Sequence, residues 1–150
     1  MTIALPTRRT QMGTYIGDSV TLLAGFAQSD RMFKASDDRV YELLDVIFTC
    51  KAAVTGNGAN VVITVDSPTA TYVTLTLPAS LVADNSVYSL RNGDAEITTN
   101  ATYYPVPGDR KPLLTSPDDL YYTNAAGETG SSGEIEVTLV VRVQDSGVGY

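Results

Sequence analysis

The stretch Glu134-Ile135-Glu136-Val137-Thr138-Leu139-Val140-Val141-Arg142-Val143-Gln144 decides how this chain is read. Ile135, Val137, Leu139, Val141 and Val143 fall on one side of a period of two. Glu134, Glu136, Thr138, Arg142 and Gln144 fall on the other. Successive side chains of an extended chain point to opposite faces, so this is a strand with one face in a core and one in water.

The same period recurs on either side of the centre of the chain. Thr71 to Leu77 predicts Val73, Leu75 and Leu77 inward and Tyr72, Thr74 and Thr76 outward. Asn60 to Val65 predicts a strand, and Leu120 to Asn124 a short one. Arg39 to Val54 is a long β run. One face would carry Val40, Leu44, Val46, Phe48 and Cys50, the other Tyr41, Leu43, Ile47, Thr49 and Lys51. Its start also fits helical spacing through Val40, Leu43, Leu44 and Ile47, while the Val, Ile, Phe, Thr and Cys of its second half favour strand. Thr14 to Gln28 fits a strand or a short helix. Gly25 weakens the helix, so extended or irregular structure is preferred. Gln28 to Asp38 reads as a polar loop.

Turn chemistry separates these runs. Thr55-Gly56-Asn57-Gly58 and Asp66-Ser67-Pro68 are turns, because Gly and Asn accept positive φ and Pro stops a ladder. Asn92-Gly93-Asp94 between Ser86–Arg91 and Ala95–Thr99 predicts a hairpin. Pro105, Pro107, Pro112 and Pro117 make 103–117 a long loop, and 125–133 is a Gly-rich tip. Roughly seven or eight short strands with turn signals every eight to fifteen residues or so predict an all-β chain, an antiparallel β-sandwich or jelly roll. The 19 Thr, 16 Val and 9 Tyr suit a pleated surface.

The 150 residues allow one core and no staples. Residues 1–13, with Pro6 and Gly13, read as an extended N-terminal arm, and 14–150 as a single β-sandwich domain. There is no His and one Cys, so His-based triads, His metal sites, Cys clusters and an internal disulfide cannot be built. No run of about 18 apolar residues offers a membrane-spanning helix. The N-terminus lacks the apolar middle of a secretory signal, which implies synthesis in the cytoplasm.

Ten basic and 17 acidic residues give a net charge of −7. All of it lies beyond residue 51, while the first 17 residues carry Arg8 and Arg9 and no acid. An acidic body does not wrap nucleic acid, because phosphate contacts need Lys and Arg. A basic, Pro-containing arm suits an acidic partner surface.

Reactive constellations are sparse. Asp37-Asp38 and Asp118-Asp119 are neighbouring loop acids, which usually are solvated charges rather than an acid–base pair. Asp94, Asp118, Asp119 and Glu128 could join carbonyls around a calcium ion, but no ligand series is present, and no metal or cofactor is expected. Cys50 reads as an inert core residue. Tyr103-Tyr104 and Tyr121-Tyr122 flank the Pro-rich loop. Neighbours on a strand point opposite ways, so one of each pair would pack and the other offer a rigid contact for protein or sugar.

The arm Met1–Gly13 with Arg8-Arg9, the Thr/Val-rich strands from Arg39 onward and the Pro105–Pro117 loop together resemble the decoration, or cement, proteins of tailed bacteriophage heads. The resemblance is one of organisation and carries no specific motif. It implies a sandwich or jelly-roll body on the outside of a virion capsid, bound to the major capsid protein, homo-oligomeric as a dimer or trimer, and without catalytic residues. The expected contacts are Leu5, Arg8, Arg9 and Met12 in the arm and Tyr104, Tyr121 and Tyr122 near the body. Another virion part, from a tail or head fibre, and a carbohydrate-binding β-sandwich module are the alternatives.

Overall fold

The computed structural model describes residues 14–23, 28–35, 39–99, 113–114, 119–124 and 132–144, with the backbone alone for 14–23, 28 and 144. The arm 1–13 and most of the 103–117 loop lie outside the described residues. The elements are β1 (Thr14–Leu23), β2 (Gln28–Phe33), β3 (Val40–Thr55), β4 (Val61–Ser67), β5 (Ala70–Leu77), β6 (Val87–Ser89), β7 (Ile97–Thr99), β8 (Leu113–Leu114), β9 (Leu120–Asn124) and β10 (Ser132–Gln144). Among the described residues there is no helix. The choice left open over residues 14–28 resolves as strand from Thr14 to Leu23.

Among the described residues all strand pairs are antiparallel, and they form two five-stranded sheets. One runs β1-β10-β3-β6, with β8 also on β3. The other runs β2-β9-β4-β5-β7. One buried cluster joins them. Phe48, Leu43, Val46 and Cys50 of β3 and Ile135, Val137 and Leu139 of β10 come from the first sheet. Ile63 and Val65 of β4, Val73, Leu75 and Leu77 of β5, and Leu120 of β9 come from the second. This is the all-β sandwich that the alternation predicts. Each such side chain, once withdrawn from water, contributes about 1.5–3 kcal/mol before conformational entropy is subtracted.

The long central strand departs from a simple period. Leu43 pairs Val141 and Asp45 pairs Val140, so Leu44 has no opposite number on β10. This bulge reverses the side of every residue beyond it. Tyr41 and Leu43 before it, and Val46, Phe48 and Cys50 after it, therefore share the core face. The expected grouping of Val40 and Leu44 with Val46 is corrected on this ground. A second bulge lies between β4 and β5. Val65 pairs Val73 and Asp66 pairs Thr71, which skips Tyr72 and turns its ring inward, against the outward expectation. Val143, expected on the core face, lies 45% exposed near the end of β10.

Two further expectations change. Gln28–Phe33 is an edge strand on β9 rather than a loop, with a register break that skips Met32. Asn92-Gly93-Asp94 does not close a hairpin. β6 pairs β3 and β7 pairs β5, so the turn carries the chain from one sheet to the other. Side chains build that crossing: Asp94 Oδ2 accepts the Ser89 N–H at 2.7 Å, and Ser89 Oγ accepts the Asn92 N–H at 3.0 Å. The Gly56–Gly58 turn forms as read, with Asn57 at φ 50° and the Thr55 hydroxyl accepting the Asn57 N–H at 3.1 Å.

Candidate interaction surface

The outer face of the β2-β9-β4-β5-β7 sheet carries a pattern that no single strand reveals. Ser29 pairs Thr123, Thr123 pairs Thr64, Thr64 pairs Thr74 and Thr74 pairs Thr98. Residues opposite one another share a face, so five hydroxyl groups cross the whole sheet as one rung. Ser29 and Thr98 are exposed and the three between are half-buried. The hydroxyls of Ser29 and Thr123 lie 3.2 Å apart. Each can donate and accept.

The next rung is Arg31, Tyr121, Asp66 and Thr71. Both oxygens of Asp66 are engaged, one by the Thr64 hydroxyl and one by the Thr71 hydroxyl, each at 2.6 Å. Arg31 Nη1 lies 3.5 Å from Asp119 Oδ2, and Asp119 Oδ1 accepts the Ala35 N–H at 2.9 Å. The face is therefore nearly neutral in charge on an acidic protein, with Tyr121 half-exposed in its middle.

The two described tyrosines of the expected contact set part company. Tyr121 stands on this outer face. Tyr122 is 2% exposed, and its hydroxyl donates to Asp30 Oδ2 at 2.6 Å, tying edge strand β2 to β9. Leu5, Arg8, Arg9, Met12 and Tyr104 lie outside the described residues. The hydroxyl rung was missed by sequence because its members come from five separate strands. Only the Thr content of the chain hinted at it.

The opposite sheet presents charge pairs. Arg142 hydrogen-bonds its cross-strand partner Glu42, and Lys51 Nζ lies 3.8 Å from Glu136 Oε1. Beneath, Cys50 is fully buried, and burial pushes its thiol above the ordinary 9.0. Tyr88 is raised as well, first by burial and then by the nearby Cys50 and Glu96. Among the described residues no group of three or more His, Cys, Asp or Glu could hold a metal ion. Of the loop acids weighed for calcium, Asp94 and Asp119 each accept a backbone N–H group. Among the described residues no helix is long and apolar enough to cross a membrane.

Neither a family model nor a curated relative matches the sequence. Among solved structures, the chain is similar to one from the cyanophage Pam1 capsid asymmetric unit. That similarity has a TM-score of 0.50 and 12% identity, over 87% of this chain and 84% of the other. It is a likeness of fold. A chain from Bacillus endospore appendages, described as a novel family of disulfide-linked pili, aligns over 91% of this chain and 94% of its own at 15% identity. Its TM-score of 0.33 is too low to bear on the architecture.

Proposed function

We propose that this protein is a structural component of a virion, and more finely a decoration protein that binds the outside of the major capsid protein shell and stabilises the head. The observation that carries the reading is the two-sheet antiparallel fold, shared over more than four-fifths of both chains with a chain of a phage capsid unit. The charge distribution supports it: a basic N-terminal segment on an acidic body suits attachment through the arm. A segment that orders on binding covers a large area, and repeated copies on a symmetric shell add through multivalency.

In this reading Leu5, Arg8, Arg9 and Met12 are the arm contacts. Tyr104, Tyr121 and Tyr122 sit near a body contact, Tyr122 with its hydroxyl held by Asp30. The copies are a dimer or trimer, and the protein acts without catalysis or cofactor, on the capsid exterior after synthesis in the host cytoplasm. The test is co-sedimentation with shells assembled from the major capsid protein of the same genome. Saturable binding and a higher temperature of shell disruption are expected. Absence of co-sedimentation by the full-length chain overturns the reading.

The hydroxyl rung with Tyr121 favours a second reading, a neutral-glycan-binding sandwich, because hydroxyls and an aromatic face suit an uncharged polyol. A glycan array separates the two: saturable sugar binding abolished by Tyr121→Ala would favour it.

A further inference from the structure

Two Asn-Gly pairs stand on turns of this chain, Asn57-Gly58 and Asn92-Gly93, and all four residues are exposed. Such a pair carries a latent reaction. Glycine has no Cβ, so its backbone nitrogen can close on the side-chain amide of the preceding Asn with little steric resistance. A Cβ placed on either glycine would meet nothing within 4 Å, so both sites are open. Both also hold the Asn backbone in the same way. The Thr55 hydroxyl accepts the Asn57 N–H at 3.1 Å, and the Ser89 hydroxyl accepts the Asn92 N–H at 3.0 Å.

The two turns differ at the attacking nitrogen. The Gly93 N–H donates to the Leu90 carbonyl at 3.1 Å. The chain around it is tied further, by the Ser89 N–H on Asp94 Oδ2 at 2.7 Å and the Ile97 N–H on the Asp94 carbonyl at 3.0 Å. Among the described residues the Gly58 N–H has no acceptor. The turn around it closes through the Ala59 N–H on the Gly56 carbonyl at 3.3 Å, beyond the usual length of such a bond. Asn57 and Gly58 both have positive φ, 50° and 103°, as a type I′ turn requires. A nitrogen whose proton is shared with a carbonyl must lose that bond before it can turn towards a neighbouring carbon. Gly58 has no such bond to lose.

We infer that Asn57-Gly58 is a self-modification site, at which Asn57 deamidates faster than Asn92 and needs no reagent but water. The Gly58 nitrogen gives up its proton and forms a bond to Asn57 Cγ. The Cγ–Nδ2 bond then breaks, and Nδ2 leaves with that proton as ammonia. The product is a five-membered imide containing both Asn57 carbonyl carbons. Water adds to one of them. Breaking the bond from Cγ to the Gly58 nitrogen yields aspartate. Breaking the bond from the main-chain carbon yields isoaspartate, with the chain now running through Cβ. Either product adds one negative charge to a protein that already carries −7.

The two products differ in what they do to the fold. Aspartate keeps the backbone and, like Asn, accepts positive φ. Isoaspartate puts an extra carbon into the main chain of a turn that has no slack, since a Cβ on Gly56 would lie 1.7 Å from the Ala59 carbonyl oxygen. That turn joins β3 of one sheet to β4 of the other, so loosening it loosens a link between the two layers. None of this depends on the virion reading.

The test is to age the folded protein in neutral buffer and map its peptides by mass spectrometry, with enzymatic methylation of isoaspartate as a second readout. Asn57 is expected to convert about three- to tenfold faster than Asn92, the handicap of one backbone hydrogen bond, with ammonia released in step. The same chain held unfolded in urea should convert the two at nearly equal rates, because glycine follows each. Asn57→Asp should melt with the native protein, and the isoaspartyl fraction, separated by ion exchange, should melt lower. No conversion at Asn57, or equal or faster conversion at Asn92 in the folded protein, overturns the inference. So does a preference that persists undiminished in urea, which would belong to the local sequence rather than to the fold. An isoaspartyl fraction as stable as Asn57→Asp overturns the stated effect on the β3–β4 junction.

Discussion

Asp45 Oδ1 accepts the backbone N–H of Arg91 at 3.0 Å, across 46 positions of sequence. The same oxygen accepts the N–H of Val46 at 2.8 Å. Asp45 sits at the β3 bulge and is buried, so its carboxylate occupies the point where the ladder to β10 slips and the chain beyond β6 turns away. A bulge leaves backbone groups without their ladder partners, and here a side chain supplies the acceptor.

Replacing that acceptor should therefore cost more than an ordinary strand substitution. Asp45→Ala is expected to lower stability by about 2–4 kcal/mol, from two N–H groups left unsatisfied. Asp45→Asn, which keeps one oxygen, should cost less. Urea denaturation of the three proteins checks the order. Equal midpoints for all three would remove Asp45 from any role at the bulge.

Gly133 and Gly93 both hold positive φ, 128° and 71°, but in different surroundings. A Cβ on Gly133 would meet the Ala53 carbonyl oxygen and Val54 Cα at 2.8 Å, whereas one on Gly93 meets nothing within 4 Å. Gly93→Ala should cost about 1 kcal/mol of backbone strain, and Gly133→Ala distinctly more, because backbone must move. Thermal melts of the pair give the comparison, and a Gly133→Ala protein as stable as Gly93→Ala refutes it.

Tyr121 and Tyr122 are adjacent in sequence and opposite in role. Tyr122→Phe removes the hydroxyl that donates to Asp30 and should destabilise the fold by about 1–2 kcal/mol, with faster amide exchange along Gln28–Phe33. Tyr121→Ala should change stability by less than that while weakening whatever docks on the outer face. The reverse order in denaturation would exchange the two assignments.

Cys50 and Tyr88 both have folded-state pKa values raised by burial. A raised pKa means that the folded state holds its proton where the unfolded state has lost it. Stability from these groups is thus complete below the unfolded values and falls as pH rises past them. The decline should begin above the ordinary thiol value of 9.0 and steepen above the tyrosine value of 10.0. Cys50→Ala should flatten the first part of it. Denaturation midpoints measured from neutral to alkaline pH test this, and a flat profile would contradict it.

Local pattern was enough to establish the class of fold, because a period of two with one apolar face has no stable home except a sheet packed on another. It also placed β4, β5, β9 and β10 and the Gly56–Gly58 turn, whose signals lie within a few residues of one another. Which strands share a sheet was settled instead by long-range packing. Asn92-Gly93 has the chemistry of a hairpin, yet the strands on either side of it find partners on β3 and β5, and the turn between them bridges the two sheets. Long-range packing likewise settled the faces of β3 and β5. A register shift at one residue, Leu44 or Tyr72, inverts everything beyond it, and a bulge is created by register between strands rather than by any residue alone. The hydroxyl rung belongs to the same category. Its members are far apart along the chain, and only the pairing of strands sets them side by side.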